Sequence, residues 1–431
     1  MRRNPVGLMM NAAPLGDVVW WRIGRIKLFL VSKPDGIQRV LHESQRTYGK
    51  QTRGYQLVRM FLGNGLLTAE GEFWRRQRRI AQPAFHRQRV EQFGAIMQRA
   101  AGDLAKVWDE RAQRGQSFDV GSDMMRLTLR IVGECLLSTD PSQASDAVGS
   151  SLSTLFDGFL RRSSSMISLP LEWPLPEHRR IQHAVATLDE LVHGMIRARR
   201  ANQGTRPGDL LDMLMDARDE ETGERMDDKQ LRDEVMTVFL AGHETTSNAL
   251  SWTWYLLGRH PEIVEKLHAE LDRVLAGRPP TFSDLPALPY TLQVLKESMR
   301  LYPPVWAFGR SVTEKTEILG ARVEPGNIVF LSPYVTHRHP EFWPDPERFD
   351  PDRFLPERMA EQHRFAYFPF GGGPRVCIGN TFALMEGQLV LATLAQRHRL
   401  RFVDPRPVEL WPQITLRPRG ELRVVAEAQN P

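Results

Sequence analysis

The sequence predicts a mainly α fold with a minor β region, an α+β architecture. Between positions 71 and 213, apolar residues recur three and four positions apart, which is the period of helices that pack on one face. Short apolar runs bounded by turn residues occur near the N-terminus and again after position 303, and such runs are typical of strands. Helices should therefore form most of the molecule, with small sheets built from the first and last parts of the chain.

The strands are predicted from short runs of β-branched and aromatic residues. Residues 18–22 and 26–32 read as two strands around Gly24, and a helix should follow the turn at Pro34. Three further strands are expected near the C-terminus, over residues 399–403, 414–416 and 422–425.

Two helices stand out. Residues 234–257 are apolar on nearly every side, so this helix should be buried. A helix over 290–302 should stop at Pro303, because proline lacks the N–H that a helix needs. A third helix is predicted directly after Cys377, where a long apolar stretch begins.

Composition bounds the class of protein. The 431 residues are 41% hydrophobic and 25% charged, with a formal net charge of +5, which is too weakly basic to indicate a nucleic-acid partner. Two cysteines argue against a disulfide framework and fit a reducing compartment. The sequence shows no run of about 18 apolar residues and no clear signal-cleavage pattern, so we expect no membrane span and a cytoplasmic location. Without a linker-like break, residues 1–431 should form one domain.

Cys377 lies on a glycine-rich turn at the start of the predicted C-terminal helix. The positive end of a helix dipole favours a thiolate, and glycines allow close approach of another molecule. A phosphate loop is disfavoured because Pro374 and Arg375 follow the glycines instead of Lys and Ser or Thr. A zinc site would need another ligand at close spacing. A structural cysteine and a thiol hydrolase with a distant histidine both stay open.

The spacing around this cysteine resembles the haem-ligand loop of the cytochrome P450 family. The pattern is Phe-x-x-Gly-x-Arg-x-Cys-x-Gly, formed here by Phe370, Gly373, Arg375, Cys377 and Gly379. In that family the cysteine is the axial thiolate of haem iron. The resemblance implies a P450 fold, haem b (iron protoporphyrin IX) as cofactor, and a haem held between a long buried helix and the helix of the cysteine loop.

A second motif, residues 241–246, puts an acid beside an alcohol in the middle of the predicted buried helix. Alone, it would be read as a tolerated polar patch. It resembles the oxygen-binding groove of the same family. The resemblance implies that Thr245 stabilises the O2 co-substrate and that Glu244 relays protons.

A third motif places Glu297 and Arg300 three positions apart, on one helix face. Alone, such a pair is usually solvated. It resembles the Glu-x-x-Arg pair of the family, which locks to an arginine in a Pro-Glu-Arg-Phe segment. Arg348 in residues 346–349 is the predicted third member, and the role of this triad is structural.

A fourth motif concerns haem propionates. Trp74 and Arg78 lie four positions apart on a predicted basic helix, which by itself indicates only a solvated face. The family uses such a pair to bind a propionate, and Arg310 and Arg375 resemble further propionate ligands. Arginine suits this task because its planar fork matches a carboxylate.

The four motifs together imply a monooxygenase that hydroxylates a lipophilic substrate, and the lack of a membrane anchor and the short N-terminus make it resemble bacterial members of the family. We expect no fused reductase, so electrons should come from a ferredoxin or flavodoxin with an NAD(P)H-dependent reductase, docking on the basic run 75–79. A fatty acid is the first expectation for the substrate, and a terpenoid, steroid or polyketide is the alternative. A peroxide-dependent peroxygenase and a non-enzymatic haem sensor are the other readings. The expected pocket residues are all apolar: Leu67, Val238, Ala241, Val305, Ala307 and Ile414.

Overall fold

Helices make up most of the chain, and short strands come from its first fifty residues, from residues 117–119 and from its last third. The computed structural model describes residues 4–42, 46–165, 169–201, 208–218, 223 and 225–428. The helices are α1 Pro5–Ala12, α2 Pro34–His42, α3 Arg53–Leu62, α4 Gly71–Ala81, α5 Arg87–Gln92, α6 Gly94–Gln113, α7 Val120–Leu137, α8 Ser145–Ser164, α9 Pro176–Ala201, α10 Leu210–Asp216, α11 Asp228–Leu257, α12 Pro261–Leu275, α13 Pro289–Leu301, α14 Pro333–Thr336, α15 Pro356–Glu361 and α16 Asn380–Ala395. The mainly α prediction with a minor β region is confirmed.

The strands are short. They are β1 Val18–Ile23, β2 Ile26–Val31, β3 Tyr48–Gly49, β4 Ser117–Asp119, β5 Phe308–Val312, β6 Thr316–Ile318, β7 Ala321–Val323, β8 Ile328–Leu331, β9 His398–Phe402, β10 Leu410–Pro412, β11 Leu416–Pro418 and β12 Arg423–Ala428. The predicted strand over 414–416 is displaced in the structure. Residues 413–415 form the turn between β10 and β11, closed by a hydrogen bond from the Gln413 N–H to the Thr415 carbonyl at 3.0 Å.

The molecule comprises two compact units, each built from three segments of the chain. The first unit comprises residues 1–86, 132–241 and 307–332, and the second comprises 87–131, 242–306 and 333–431. Helices α7 and α11 are continuous through a segment boundary. The single-domain prediction for residues 1–431 stays a prediction.

The first unit contains the largest sheet, with strand order β1-β2-β8-β5-β3. β1 and β2 form the predicted hairpin, with Val18 opposite Val31 and the turn at Gly24, whose φ of 60° suits glycine. β2 runs parallel to β8, and β5 is antiparallel to both of its neighbours.

Smaller sheets complete the β region. The second unit contains a three-stranded sheet, β4-β12-β9, and the hairpin β10-β11, while the first unit contains the hairpin β6-β7.

The second unit places α16 in its core. All residues from Met385 to Ala395 are buried, as the apolar sequence requires. Helix α13 ends at Leu301, two residues before Pro303, as predicted. Among the described residues, none of the helices combines the length and the apolar character needed to cross a membrane.

Candidate active site

The Cys377 turn lies in the second unit, directly before α16. Gly371 and Gly373 have φ values of 70° and 63°, which glycine adopts without a steric penalty. The Cys377 N–H donates to the Phe370 carbonyl at 2.9 Å and closes the turn. Cys377 is exposed, and α16 begins three residues later at Asn380. The sequence therefore builds an accessible thiol near a helix N-terminus, where a thiolate is favoured.

The other residues of the cysteine motif surround this turn within the second unit. Gly379 is the N-cap of α16, with φ of −92°. The Phe370 ring packs against a buried apolar cluster that includes Ala249 of α11 and Leu295 of α13. Arg375 lies two residues before the cysteine and is half-buried. The aromatic anchor thus fixes the turn to two helices of its unit.

Helix α11 is buried except at one short place. From Leu231 to Leu257, every residue is buried apart from Ala241, Gly242 and Thr245. Ala241 and Thr245 are one turn apart and share a helix face. Thr245 belongs to the motif predicted to bind O2, and that role stays a prediction.

Glu244, beside Thr245, is held in a dense polar network in the second unit. Its Oε1 accepts from Arg417 Nε at 2.7 Å, from Asn248 Nδ2 at 2.7 Å and from Thr415 Oγ1 at 2.8 Å. Its Oε2 accepts from Arg417 Nη2 at 2.5 Å. The pair is bidentate and nearly dry, with side-chain exposures of 3% for Glu244 and 12% for Arg417.

The network determines the charge of Glu244. Burial by itself raises the pKa of this carboxyl, but the attraction and hydrogen bonds of Arg417 outweigh it, so that the pKa lies below its ordinary value. Glu244 is therefore a carboxylate at neutral pH. It can take up a proton only if the pair with Arg417 loosens, which sets a condition on the predicted relay role.

Glu297 and Arg300 of α13 form a fully buried ion pair in the second unit. Both side chains are fully buried, with Nε–Oε2 at 2.6 Å and Nη2–Oε1 at 2.8 Å. Arg300 also donates to the carbonyls of His337 and Pro346 at 2.8 Å and 2.7 Å. These bonds replace the water that a guanidinium loses on burial, which a buried charge requires.

The third arginine of this cluster differs from the prediction. Arg348 is exposed and contributes its backbone carbonyl, which accepts from Arg300 Nη2 at 3.0 Å. The guanidinium beside Glu297 belongs to Arg353, whose Nε lies 3.5 Å from Glu297 Oε1. The correction has a local cause, because the Pro-x-Arg-Phe pattern occurs twice, at 346–349 and at 351–354, and the second copy faces α13.

In the first unit, Trp74 and Arg78 lie together on α4 as predicted. Trp74 is buried, and the Arg78 guanidinium lies 5.9 Å from the Trp74 ring centroid, within cation–π range. Both side chains line a depression of about 350 Å³ together with Arg75, Arg79 and His86. The depression is therefore cationic and suited to a carboxylate.

Arg310 belongs to β5 of the same unit and is 7% exposed. Its Nη1 donates to Tyr55 Oη at 3.2 Å and to the Gly309 carbonyl at 3.1 Å. Within the described part of the chain, Nε and Nη2 make no hydrogen bond, so two donors of the fork are available for an anion.

These side chains fit a haem. Within the described ranges, no cluster of three or more His, Cys, Asp or Glu side chains is able to hold a metal ion. In the second unit, the exposed Cys377 thiol on its glycine turn suits the single thiolate that a P450 haem iron takes from the protein. In the first unit, the guanidinium groups of Arg78 and Arg310 are of the kind that binds carboxylates, and their assignment to haem propionates stays a prediction.

The predicted pocket residues are largely half-buried, as pocket walls are. In the first unit, Leu67 and Ala307 are half-buried, Val238 is 8% exposed and Ala241 is exposed.

In the second unit, Val305 and Ile414 are half-buried. Two hydrogen bonds bring their segments together, from Trp306 Nε1 to the Gln413 carbonyl at 2.9 Å and from the Leu416 N–H to the Pro304 carbonyl at 2.8 Å.

The motifs did not indicate the partners of Glu244. Asn248 lies four residues on and shares its helix face, which is a signal that the sequence does carry. Thr415 and Arg417 are about 170 residues away in the chain, so that contact follows from the fold alone. A further buried acid on α11, Glu234, was also missed.

The chain is similar to known proteins over nearly its whole length. The cytochrome P450 family model matches residues 2–423. Cyclooctatin synthase of Streptomyces melanosporofaciens is 40% identical over 99% of this chain and 92% of its own length. Pentalenene oxygenase of Streptomyces avermitilis is 35% identical over 95% of this chain and 90% of its own. The solved structure of the cytochrome P450DA heme domain superposes with a TM-score of 0.87 at 29% identity, covering 99% of this chain and 94% of that one.

Proposed function

Because the chain belongs to the cytochrome P450 family, we propose that it hydroxylates a terpenoid with a haem ligated by Cys377. Monooxygenation is the reaction of the family, and the exposed thiol on a glycine turn before α16 is the observation that carries the assignment. The reaction consumes O2, two electrons and two protons, and it yields the alcohol and water.

The protein would hold haem b through two kinds of group. We assign the metal bond to the Cys377 thiolate, with Phe370 and Gly379 shaping the turn around it. We assign the propionates to Trp74, Arg78, Arg310 and Arg375. The Arg78 guanidinium over the Trp74 ring and the two remaining donor nitrogens of Arg310 support this choice in the first unit. When bound, the haem supplies the activation of O2 and the insertion of one oxygen atom into a C–H bond.

Thr245 and Glu244 would manage protons for the O2 co-substrate. Thr245 is half-buried on the one short stretch of α11 that is not fully buried, and this position motivates its proposed role in stabilising O2. Glu244 is the adjacent acid, but its pair with Arg417 favours the carboxylate. We propose that proton uptake by Glu244 accompanies opening of this pair, so that Arg417 regulates the relay.

A terpenoid is favoured over the fatty acid that we first expected. The relatives include proteins named cyclooctatin synthase and pentalenene oxygenase, and a third is named cyclooctat-9-en-7-ol 5-monooxygenase, at 38% identity. The six proposed lining residues are all apolar, which suits a polycyclic hydrocarbon and offers no cation to a fatty-acid carboxylate.

Electrons would reach the enzyme from an acidic ferredoxin or flavodoxin, itself reduced by an NAD(P)H-dependent reductase. In the first unit, Arg75 and Arg79 are exposed on α4; in the second unit, Arg87 and Arg89 are exposed on α5. Charge of this kind steers association with an acidic partner. A cytoplasmic location, which such partners require, stays a prediction.

The test is product formation by the purified haem protein with spinach ferredoxin, its reductase and NADPH. We expect a hydroxylated product from polycyclic terpenes and none from palmitate. Product from palmitate alone would overturn the substrate proposal. Product with hydrogen peroxide but never with the reductase system would identify a peroxygenase, and haem binding without any product would favour a sensor.

A further inference from the structure

Glu234 is a buried acid that the proposed mechanism does not use. It lies on α11 in the first unit and is 1% exposed. Its Oε2 accepts from the Leu66 N–H at 3.0 Å, and its Oε1 is buried without a hydrogen-bond partner among the residues that the structure describes. A buried carboxyl oxygen without a partner is costly, so this atom needs an explanation.

The neighbouring acid, Asp233, has a hydrogen-bond or ion-pair partner on both of its carboxylate oxygens. Asp233 pairs with Arg232 at 3.0 Å and with Lys229 at 2.9 Å, and it accepts from the Asn64 N–H at 2.8 Å. Every oxygen of Asp233 is matched, while Glu234 keeps one oxygen unmatched. Asp233 already holds the segment 63–70 against α11 through the Asn64 N–H, so this contact does not by itself require a second acid.

The protonation state of Glu234 defines its chemistry. Burial raises the pKa of Glu234 to about 8, against the opposing hydrogen bond from Leu66 and with help from repulsion by Asp233. The carboxyl is then mostly neutral at pH 7. Since Oε2 accepts from an N–H, it is the carbonyl oxygen, and the proton resides on Oε1. Glu234 thus offers an O–H donor that lacks an acceptor.

The position of Glu234 relates this donor to the substrate. Glu234, Val238 and Ala241 are spaced by four and three residues, so they share one face of α11. Val238 and Ala241 are proposed pocket residues, and Ala241 lies where the helix is accessible. The backbone partner, Leu66, adjoins Leu67, another proposed pocket residue. All of these residues belong to the first unit.

We propose that Glu234 is a specificity-determining residue whose Oε1 hydroxyl donates a hydrogen bond to an oxygen of the substrate. The preferred substrate is then a polycyclic terpenoid that already carries a hydroxyl or carbonyl group. The enzyme would act after an oxygenation or a cyclisation that ends in water capture, either of which supplies such an oxygen. The inference rests on the proposed terpenoid function and makes it more specific.

Equilibrium dialysis with matched ligands tests the inference without turnover. The ligand pairs are cedrol and cedrane, patchoulol and patchoulane, and cyclooctat-9-en-7-ol and the hydrocarbon that lacks its 7-hydroxyl. Glu234→Met and Glu234→Ala both remove the hydroxyl donor, with a large and a small replacing side chain. If one variant fails to fold, the other still tests the inference. Glu234→Gln keeps an N–H donor. Asp233→Asn is the control, because it weakens the contact with Asn64 and leaves the Glu234 side chain in place; burial, the largest cause, still raises the pKa of Glu234 in this variant.

For at least one pair, we expect the ratio of alcohol affinity to hydrocarbon affinity to fall about tenfold in Glu234→Met or Glu234→Ala, which is the value of one buried hydrogen bond. Hydrocarbon affinity should stay within about twofold of the wild type, and Glu234→Gln should keep most of the ratio. Asp233→Asn should change both affinities together and leave the ratio unchanged.

Two outcomes would overturn the inference in distinguishable ways. Tight terpene binding with an unchanged ratio in both donor-less variants, or an equal fall of the ratio in Asp233→Asn, would make Glu234 a structural clamp with a buried water on Oε1. If wild-type haem protein bound no member of any pair, the terpenoid proposal would itself be wrong.

Discussion

Replacing Arg417 with methionine removes the charge that holds Glu244 and keeps an unbranched apolar stem. Glu244 is 3% exposed, so the variant leaves a buried carboxylate without its counter-ion. Breaking a buried pair from one side typically costs about 3 to 5 kcal/mol. Asn248 and Thr415 still donate to Glu244, which places the expected loss at the lower end, about 3 kcal/mol.

The expected loss of unfolding free energy can be converted to a change in melting temperature with the unfolding entropy of the chain. With an unfolding entropy of about 2.1 cal/mol/K per residue, 431 residues give about 0.9 kcal/mol/K. Arg417→Met should therefore melt about 3 °C below the wild type in calorimetry of the haem-loaded protein at pH 7.5. Glu244→Gln in the Arg417→Met background should restore most of the loss, because the buried charge is then gone.

The pH dependence of the melting temperature tests the Glu244–Arg417 pair independently. The pKa of Glu244 is lowered in the folded protein, so the pair contributes stability above the unfolded value of 4.5, and this contribution is lost as pH falls through the folded pKa. The difference between wild type and Arg417→Met should shrink in acid. A melting temperature unchanged within 1 °C at pH 7.5, or a double variant that is less stable than Arg417→Met, would refute the buried-anion reasoning.

Three further predictions follow from other contacts. Arg353→Leu removes the second guanidinium beside the buried glutamate of α13 and should lower the melting temperature by about 2 °C, whereas the exposed Arg348→Leu should change it by less than about 1 °C in the same calorimetry. Burial raises the pKa of Glu386 well above 4.5, so the free energy of unfolding should fall as pH rises above 4.5. Urea titrations of Glu386→Gln should lack this slope of up to about 1.4 kcal/mol per pH unit. A variant with the same pH profile as the wild type would count against a buried, neutral Glu386. The double variant Arg75→Ala/Arg79→Ala removes two exposed charges. In stopped flow at low salt, spinach ferredoxin should reduce it about tenfold more slowly than the wild type, and the rate should depend less on salt. An unchanged rate would show that the ferredoxin docks on another surface.

Much of the fold could be predicted because its signals are local. The α11 helix was visible as an apolar stretch, and the structure extends it N-terminally to Asp228, where the charged first turn hides the period. The β1–β2 hairpin followed from two apolar runs around Gly24. The 414–416 strand was misplaced because the pairing of two three-residue strands is fixed by the fold, not by their own sequence.

The site could be predicted only as far as its motifs reach. Cys377 and its turn follow from spacing, since glycine, proline and cysteine each have a narrow use there. The choice between Arg348 and Arg353 could not be made, because two adjacent segments share one pattern and only packing decides between them. Arg417, the ion-pair partner of Glu244, lies 173 residues away in the chain. Nothing in the residues around Arg417 distinguishes it from the other arginines, so the sequence does not predict this contact.

The absorption spectrum of the purified protein, reduced with dithionite and recorded with and without carbon monoxide, tests thiolate ligation most directly. Wild type should show a strongly red-shifted Soret band with carbon monoxide. The buried Cys135 supplies a matched control, so Cys135→Ser should keep this band and Cys377→Ser should lose it. A red-shifted band that persists in Cys377→Ser, or no haem band after haem supplementation of the wild type, would contradict the assignment of Cys377 as the haem ligand.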